Sequence, residues 1–482
     1  MASKGTQIAW PPSLEYVEML GEVRDRNGRT IPRDIGRSVK FGDEYYYIFG
    51  DTFCFDDSEQ FVGVSNNSIA RIPDLTNPRK SEYMYKEPKV PEFIPYTREE
   101  KEYTESEVNK KDNRRIVNWN FGGIIEDKPG SGTGWLFFDK IQTHGGVCEK
   151  GFGMGVARVK RDGKYVKVER TSDSMIFGDE EPRFGSISPL VDTDGFVYLL
   201  GSKDMANYLA RVPANANFTE RHAYSFLTKS GWKSSYSSLD ELEPVLGDQA
   251  QGALFKLPYD SGFAPVKKPY MWLGVNKWLD SKMWLGCAEN IEGPWDIQLL
   301  GMAPELMGKN SGHRYCLYPH FWGSNLPEGK LLISWSDDGV MGGKVACAHI
   351  NVKMEPLSEE QAEEVRRLQQ EHVRREASNR VQPVVAPVAE PEEQQHTQDI
   401  HTGVSNLAIR DGTTEASPSV TPSKPAAVDP AVPTAETPSP QVSNPSTTDD
   451  SHAQQEDSTK DKHPHIHKVE NKLKGLLHKH KH

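Results

Sequence analysis

A surplus of basic residues is the first thing missing from this chain. The net charge is −12 over 482 residues, with no Lys/Arg-dominated domain to neutralise phosphates, which argues against a nucleic-acid function. Equally absent is an apolar run of the ~20 residues that a membrane-spanning helix needs. The opening residues Met1, Ala2, Ser3, Lys4 and Gly5 carry no apolar stretch, so a secretory signal is not expected. A cytoplasmic location follows as the expectation, with unconventional secretion left open. Cysteine is scarce: Cys54, Cys148, Cys287, Cys316 and Cys347 are odd in number and widely spaced. They read as reduced, mostly buried thiols, without zinc spacing and with no metal site implied. The sequons at Asn66 and Asn217 are accordingly expected to stay unmodified. Aromatic residues disappear from about 378 onward, where Pro, Ser, Thr, Glu and Gln take over. Such a segment cannot bury a core, and a disordered tail is expected over 378–482. Its end carries His463, His465, His467, His478, His480 and His482 among lysines, read as a solvated stretch with a weak metal-chelating or anionic-surface role as the sharper alternative.

What is present is a repeated hairpin. Residues 33–52 read as two antiparallel strands, about 37–41 and 45–49, turned at Gly42 and Asp43. A hairpin returns to the edge it left, so Asp34 before the first strand and Asp51 after the second share one edge. That placement suits a carboxylate pair acting on one substrate. The layout recurs at 122–126 with 134–139, at 185–191 with 196–203, at 251–257 with 269–276, and at 315–322 with 330–337. A third short apolar strand follows each copy, for example 68–73, 155–159 and 208–213.

Five units of short strands, with no long helical pattern before about 356, predict an all-β, five-bladed β-propeller over 14–355. A two-sheet sandwich is the plainer alternative. Residues 14–20 are expected to give an outer strand to the last blade and close the ring. A long charged insertion interrupts the repeat at about 86–111. A charged helix over 356–377 is expected to begin at the capping-box pattern Ser358, Glu359, Glu360, Gln361. It reads as a solvated face or, with the tail, as an arm for a protein partner.

In a propeller, the loops entering each innermost strand and leaving the second strand open on one face. The five copies bring to that mouth Asp34 and Asp51; Trp119, Asn120 and Asp139; Arg183, Ser186 and Lys203; Gln249, Asn276 and Trp278; His313, Arg314, Tyr315, His320 and Asp337. Carboxylates, amides and aromatic faces suit a carbohydrate, whose hydroxyls take hydrogen bonds while its apolar face stacks on Trp or Tyr. No cofactor is implied, since the glycine-rich piece at 151–155 fits neither phosphate-loop nor dinucleotide patterns. A channel cation near His320 is the minority alternative to a hydrogen-bonded histidine.

The stretches 34–36, 49–52, 184–189, 197–201, 209–213 and 292–295 together resemble the domain of unknown function 4185 family over about 14–352. That resemblance implies a five-bladed propeller related to furanosidases, some members being endo-D-arabinanases. It further implies a glycoside hydrolase in which Asp34 and Asp51 are the catalytic carboxylates, Asp51 as nucleophile or base and Asp34 as its acid/base partner. The separation of the two carboxyls sets whether configuration is retained or inverted. Arg33 or Arg37 is the expected cation holding one of the pair ionised. The insertion, the fungal-type tail and the missing export signal depart from the pattern. They keep open a non-catalytic propeller that binds a glycan or a protein. At the level of single residues, Asp51 also suits a turn acceptor, Asp139 and Asp337 suit blade-end structure, and Trp119 and Trp278 suit blade packing.

Overall fold

The computed structural model describes residues 5–25, 27–170, 174–306, 312–337 and 343–381. From 382 on, the expected tail with its histidine-rich end lies outside the described residues. The strands from Leu14–Glu22 to Lys344–Val352 form the five-bladed β-propeller that the repeat predicts, each blade an antiparallel sheet whose consecutive strands run outward from the axis.

Blade one is built from Arg33–Phe41, Glu44–Phe55 and Ser68–Arg71, with Phe61–Ser65 paired to the far end of the second strand. Blade two has Ile124–Glu126, Thr133–His144, Val147–Asp162 and Tyr165–Glu169, and the long second strand also pairs with Arg114–Trp119. Blade three runs Ile187–Val191, Phe196–Lys203, Ala206–Pro213, Ser225–Thr228 and Gly231–Lys233. Blade four comprises Gln249–Lys256, Tyr270–Asn276, Lys282–Ala288 and Asp296–Met302. Blade five takes Arg314–Pro319, Lys330–Asp337 and Lys344–Val352, and its outermost strand is Leu14–Glu22 from the start of the chain.

Because side chains alternate across a strand, every blade presents an apolar face to both neighbours, and the core divides into one cluster per blade interface. Phe41, Ile48, Phe138 and Val159 pack between blades one and two. Phe137, Phe177, Phe184 and Phe226 fill the next interface, Leu200, Leu209 and Trp272 the third. Leu273, Met283, Trp335 and Ile350 form the fourth. Tyr47, Phe49, Leu332 and Cys347 complete the circle between blades five and one. A fully buried Leu, Phe or Ile contributes about 1.5–3 kcal/mol relative to exposure, so every interface is a substantial joint.

Groups from around the ring meet at the axis. Arg37 reaches Ser188 Oγ on blade three at 2.7 Å and the Phe121 carbonyl at 3.5 Å, and its guanidinium lies over the Tyr318 ring. From blade five the Cys316 N–H donates to Gln251 Oε1 on blade four at 3.1 Å.

The charged insertion is folded in part. Thr97 and Glu100 form a reciprocal cap on the helix Arg98–Glu105, followed by a short helix, Glu107–Lys111. Glu100 is buried and ion-paired with Lys140, at 2.6 Å, and with Arg170. After blade five the helix Glu359–Val381 starts at Ser358, whose hydroxyl accepts the Gln361 N–H at 3.1 Å while Gln361 Oε1 accepts the Ser358 N–H at 2.9 Å. No helix among the described residues is long and apolar enough to cross a membrane, and all five cysteines are free thiols.

Candidate active site

The two aspartates of blade one lie inside strands rather than beyond their ends, because both strands run several residues further than the turn chemistry suggests. The pairing there is irregular: register shifts flank Ile35, and Ile35 and Gly36 both take positive φ, 68° and 74°. A β-branched residue in that region is strained. The Ile35 N–H is fixed by Ser336 Oγ at 2.9 Å and the Gly36 carbonyl by the Ser334 hydroxyl at 2.9 Å. The bulge turns Asp34 across the top of its neighbour strand, close against Gly50. A Cβ on Gly50 would stand 2.3 Å from Asp34 Oδ1, so only glycine leaves room for the carboxyl.

Asp34 accepts a hydrogen bond from the Tyr315 hydroxyl at 3.1 Å through Oδ2, and its Oδ1 is buried. Burial, and next the negative charge of Asp51, push its pKa up to about 8; Tyr315, Arg115 and the Asp51 N–H act the other way without reversing it. Its surroundings therefore favour the protonated form of Asp34. Asp51 forms an ion pair with Arg115 through Oδ2, and the Trp119 indole N–H approaches Oδ1 at 3.4 Å. Burial works against the Arg115 charge, but Asp51 outweighs it and holds the guanidinium above its usual range. The result is one neutral and one ion-paired carboxyl side by side, the division that acid/base chemistry on a single bond requires.

The cation beside the pair is thus Arg115 and neither Arg33 nor Arg37. Arg33 is fully buried in blade packing, donating to Tyr83, Val23 and Ser81 with its guanidinium 3.8 Å from the Phe49 ring centre. Arg37 points down the axis, as described above. Arg115 escaped the hairpin repeat because its strand, Arg114–Trp119, leaves the insertion and belongs to no repeat unit. The available signal was alternation: Arg115, Val117 and Trp119 share one face of a β-prone run.

The remaining mouth residues divide into groups. Trp119 and Tyr315 join the aspartates. Asp139 pairs with Trp119 across the blade-two sheet, and both its oxygens accept from Arg183 at 2.5 Å. Burial raises its pKa, with Arg183 opposing. Arg183 also contacts Asp179 at 3.1 Å, and Lys203 donates to the Asp179 carbonyl at 2.7 Å. The Ser186 N–H is spent on the turn to Arg183. Asn120 is engaged within blade two, its amide bonded to Gly123 in its own turn and donating to the Phe137 carbonyl on the next strand. Asn276 accepts the Trp278 N–H at 3.2 Å, and Trp278 itself is 57% exposed. Asp337 is buried and accepts the Leu306 N–H at 3.0 Å. The Trp272 indole N–H donates to Gln249 Oε1 at 3.1 Å, and the His313 and Tyr315 rings stack 5.2 Å apart. Arg314 pairs with Glu305 at 3.6 Å.

His320 does not belong to this mouth. It follows the last residue of its inner strand, Arg314–Pro319, whose first residue is on the aspartate side. The Ser38 hydroxyl meets its Nδ1 at 2.6 Å, and the Trp322 indole donates to the same hydroxyl at 3.0 Å. Burial and then the Arg37 charge push its pKa down to about 3. A guanidinium already on the axis opposes a second cation there. No cluster of metal-binding side chains occurs among the described residues.

Similarity to known proteins is confined to structures. No family model and no curated protein matches the sequence, so the resemblance to the domain of unknown function 4185 family rests on its short motifs. A proposed hydrolase from Bacteroides ovatus aligns at 16% identity over 67% of this chain and 87% of its own, with a TM-score of 0.48. A GH43 β-1,3-galactosidase with bound galactodeoxynojirimycin aligns at 12% identity over 71% and 96%, TM-score 0.41. An endo-arabinase from Bacteroides thetaiotaomicron aligns at 13% identity over 68% and 98%, TM-score 0.30.

Proposed function

We propose that the chain is a glycoside-hydrolase-like propeller acting on a furanoside, arabinan-type polysaccharide or oligosaccharide. Asp34 serves as the proton donor to the departing sugar oxygen, and Asp51 as the carboxylate that attacks directly or activates water. The observation that carries this reading is the Asp34/Asp51 pair itself, one carboxyl held neutral by enclosure and the other ion-paired to Arg115. Trp119 and Tyr315 offer aromatic faces beside it. The furanoside assignment comes from the motif resemblance. Reducing-end release from D-arabinan, L-arabinan, fructan and xylan by the full chain tests it, with Asp51→Asn and Asp34→Asn in parallel. Release from one polymer, abolished by either substitution, supports the reading; release that survives both sinks it.

One observation favours a second reading, in which the propeller binds a glycan without turning it over. Both oxygens of Asp51 are engaged, one by Arg115 and one by the Trp119 indole, which leaves it poorly placed to attack. Polymer binding without release in the same panel would select this alternative.

A further inference from the structure

The second strand of blade one does not stop at Asp51. It continues through Phe55 and pairs with Phe61–Ser65, making an arm that projects from the mouth beyond the blade proper. Asp56 holds the tip in a tight turn, its Oδ1 accepting the N–H groups of Ser58 and Gln60 at 2.9 Å each.

The two faces of the arm differ. Thr52, Cys54 and Ser65 are buried, and the Val90 N–H reaches the Cys54 sulfur at 3.4 Å as the insertion covers that side. On the other face alternation sets Asp51, Phe53 and Phe55 in one row. The Phe61 ring lies across that row, 6.3 Å from Phe53 and 5.7 Å from Phe55. Phe61 is 51% exposed, and Phe53, Phe55 and Val64 are partly so. From Asp51 to Phe55 the strand spans about 13 Å at ~3.3 Å per residue, longer than a single sugar ring.

We propose that this phenylalanine row is a binding platform for an extended saccharide chain, whose sugar faces stack on the rings on one side of the bond held at Asp51. The platform rests on the function proposed above and adds where the saccharide chain runs once past Asp51. Aromatic rings stack on the C–H faces of sugars without demanding particular hydroxyls, which suits the flanks of a site whose specificity lies at the carboxyls. Area decides against a protein partner. Whole aromatic side chains bury 150–250 Å² each, and three rings already partly covered offer much less than the ~800 Å² per partner of a stable protein interface.

The test is affinity electrophoresis of the full chain through gels containing linear arabinan or xylan, with Asp51→Asn present throughout to prevent turnover. In that background Phe61→Leu, apolar but without a ring face, is expected to weaken apparent affinity at least tenfold, and Phe61→Tyr to preserve it. Circular dichroism checks that each variant is folded, and Phe55→Leu repeats the measurement at a second ring. Retardation of Phe61→Leu equal to its parent, or no retardation in either gel, overturns the platform. So does a concentration-dependent dimer that sediments in the parent and is lost in Phe61→Leu, which would give the rings to a second copy. The two proposals fail separately: release with unaltered binding by Phe61→Leu removes the platform alone, whereas ring-dependent binding without release removes the hydrolase alone.

Discussion

Asp34 shows how one carboxyl's surroundings set both its chemistry and its stability cost. Its folded-state pKa, about 8, is far above the ~3.9 of an exposed aspartate. The sign follows from linkage: the native state favours the protonated form, so the contribution is intact below the unfolded pKa and is lost as pH rises toward 8. Asp34→Asn keeps the shape and removes the titration. It is expected to melt above the parent at pH 8 by more than ~1 kcal/mol, with the advantage vanishing near pH 4, as thermal scans across that range would record. In the active parent, kcat/KM should fall above about pH 8 as Asp34 loses its proton. Arg115 acts through Asp51 and also draws the Asp34 pKa down. Arg115→Gln is therefore expected to move that alkaline limb to higher pH and to cost on the order of 2 kcal/mol, less than the ~3–5 kcal/mol of a fully buried broken pair. Arg115→Lys should restore the limb, an outcome that a loss of packing alone would not produce.

At the scale of the strand, the irregular edge of blade one is what converts an ordinary hairpin into a candidate site. A regular ladder would project the Asp34 side chain straight out from the sheet face; the bulge at Ile35 and Gly36 lets it lie against Gly50 instead. Gly50→Ala forces a Cβ into the carboxyl and into Ile35 Cδ1, 3.0 Å away. The expected cost is about 1–3 kcal/mol, typical of overpacking, read as a lower urea midpoint with unchanged slope. The hairpin pattern and its terminal aspartates were legible because turns and alternation are local. The bulge was not, since it depends on hydroxyls of Ser334 and Ser336 delivered from blade five.

For the whole molecule the decisive join is between the two ends of the propeller. Leu14–Glu22 pairs with Lys344–Val352 across more than 300 residues of chain, and the Tyr47, Phe49, Leu332 and Cys347 cluster seals the same interface. Deleting residues 1–22 strips the outer strand from blade five. Loss of a single cooperative unfolding transition is the expected outcome, measured by calorimetry. The C-terminal helix is attached differently, with Lys267 and Glu364 at 3.0 Å as its link to the blade-four loop. A solvent-screened surface pair contributes little, so truncation after residue 358 should leave the melting temperature within a few degrees.

Periodicity and turn residues by themselves determined five antiparallel units and an apolar strand at 14–20 available to a blade, because hairpins and alternation depend on neighbours a few positions away. Tyr315 reached Asp34 from its place in that repeat. Arg115, by contrast, lies 64 residues from Asp51 in sequence and outside every repeat unit. Only tertiary packing decided that it, rather than Arg33 or Arg37, faces the pair. The same packing took His320 away from the mouth, committed Asn120 to its turn and the adjoining strand, and left the phenylalanine face of the arm partly exposed. Ion pairing and burial depend on which blades meet, and no local pattern records that.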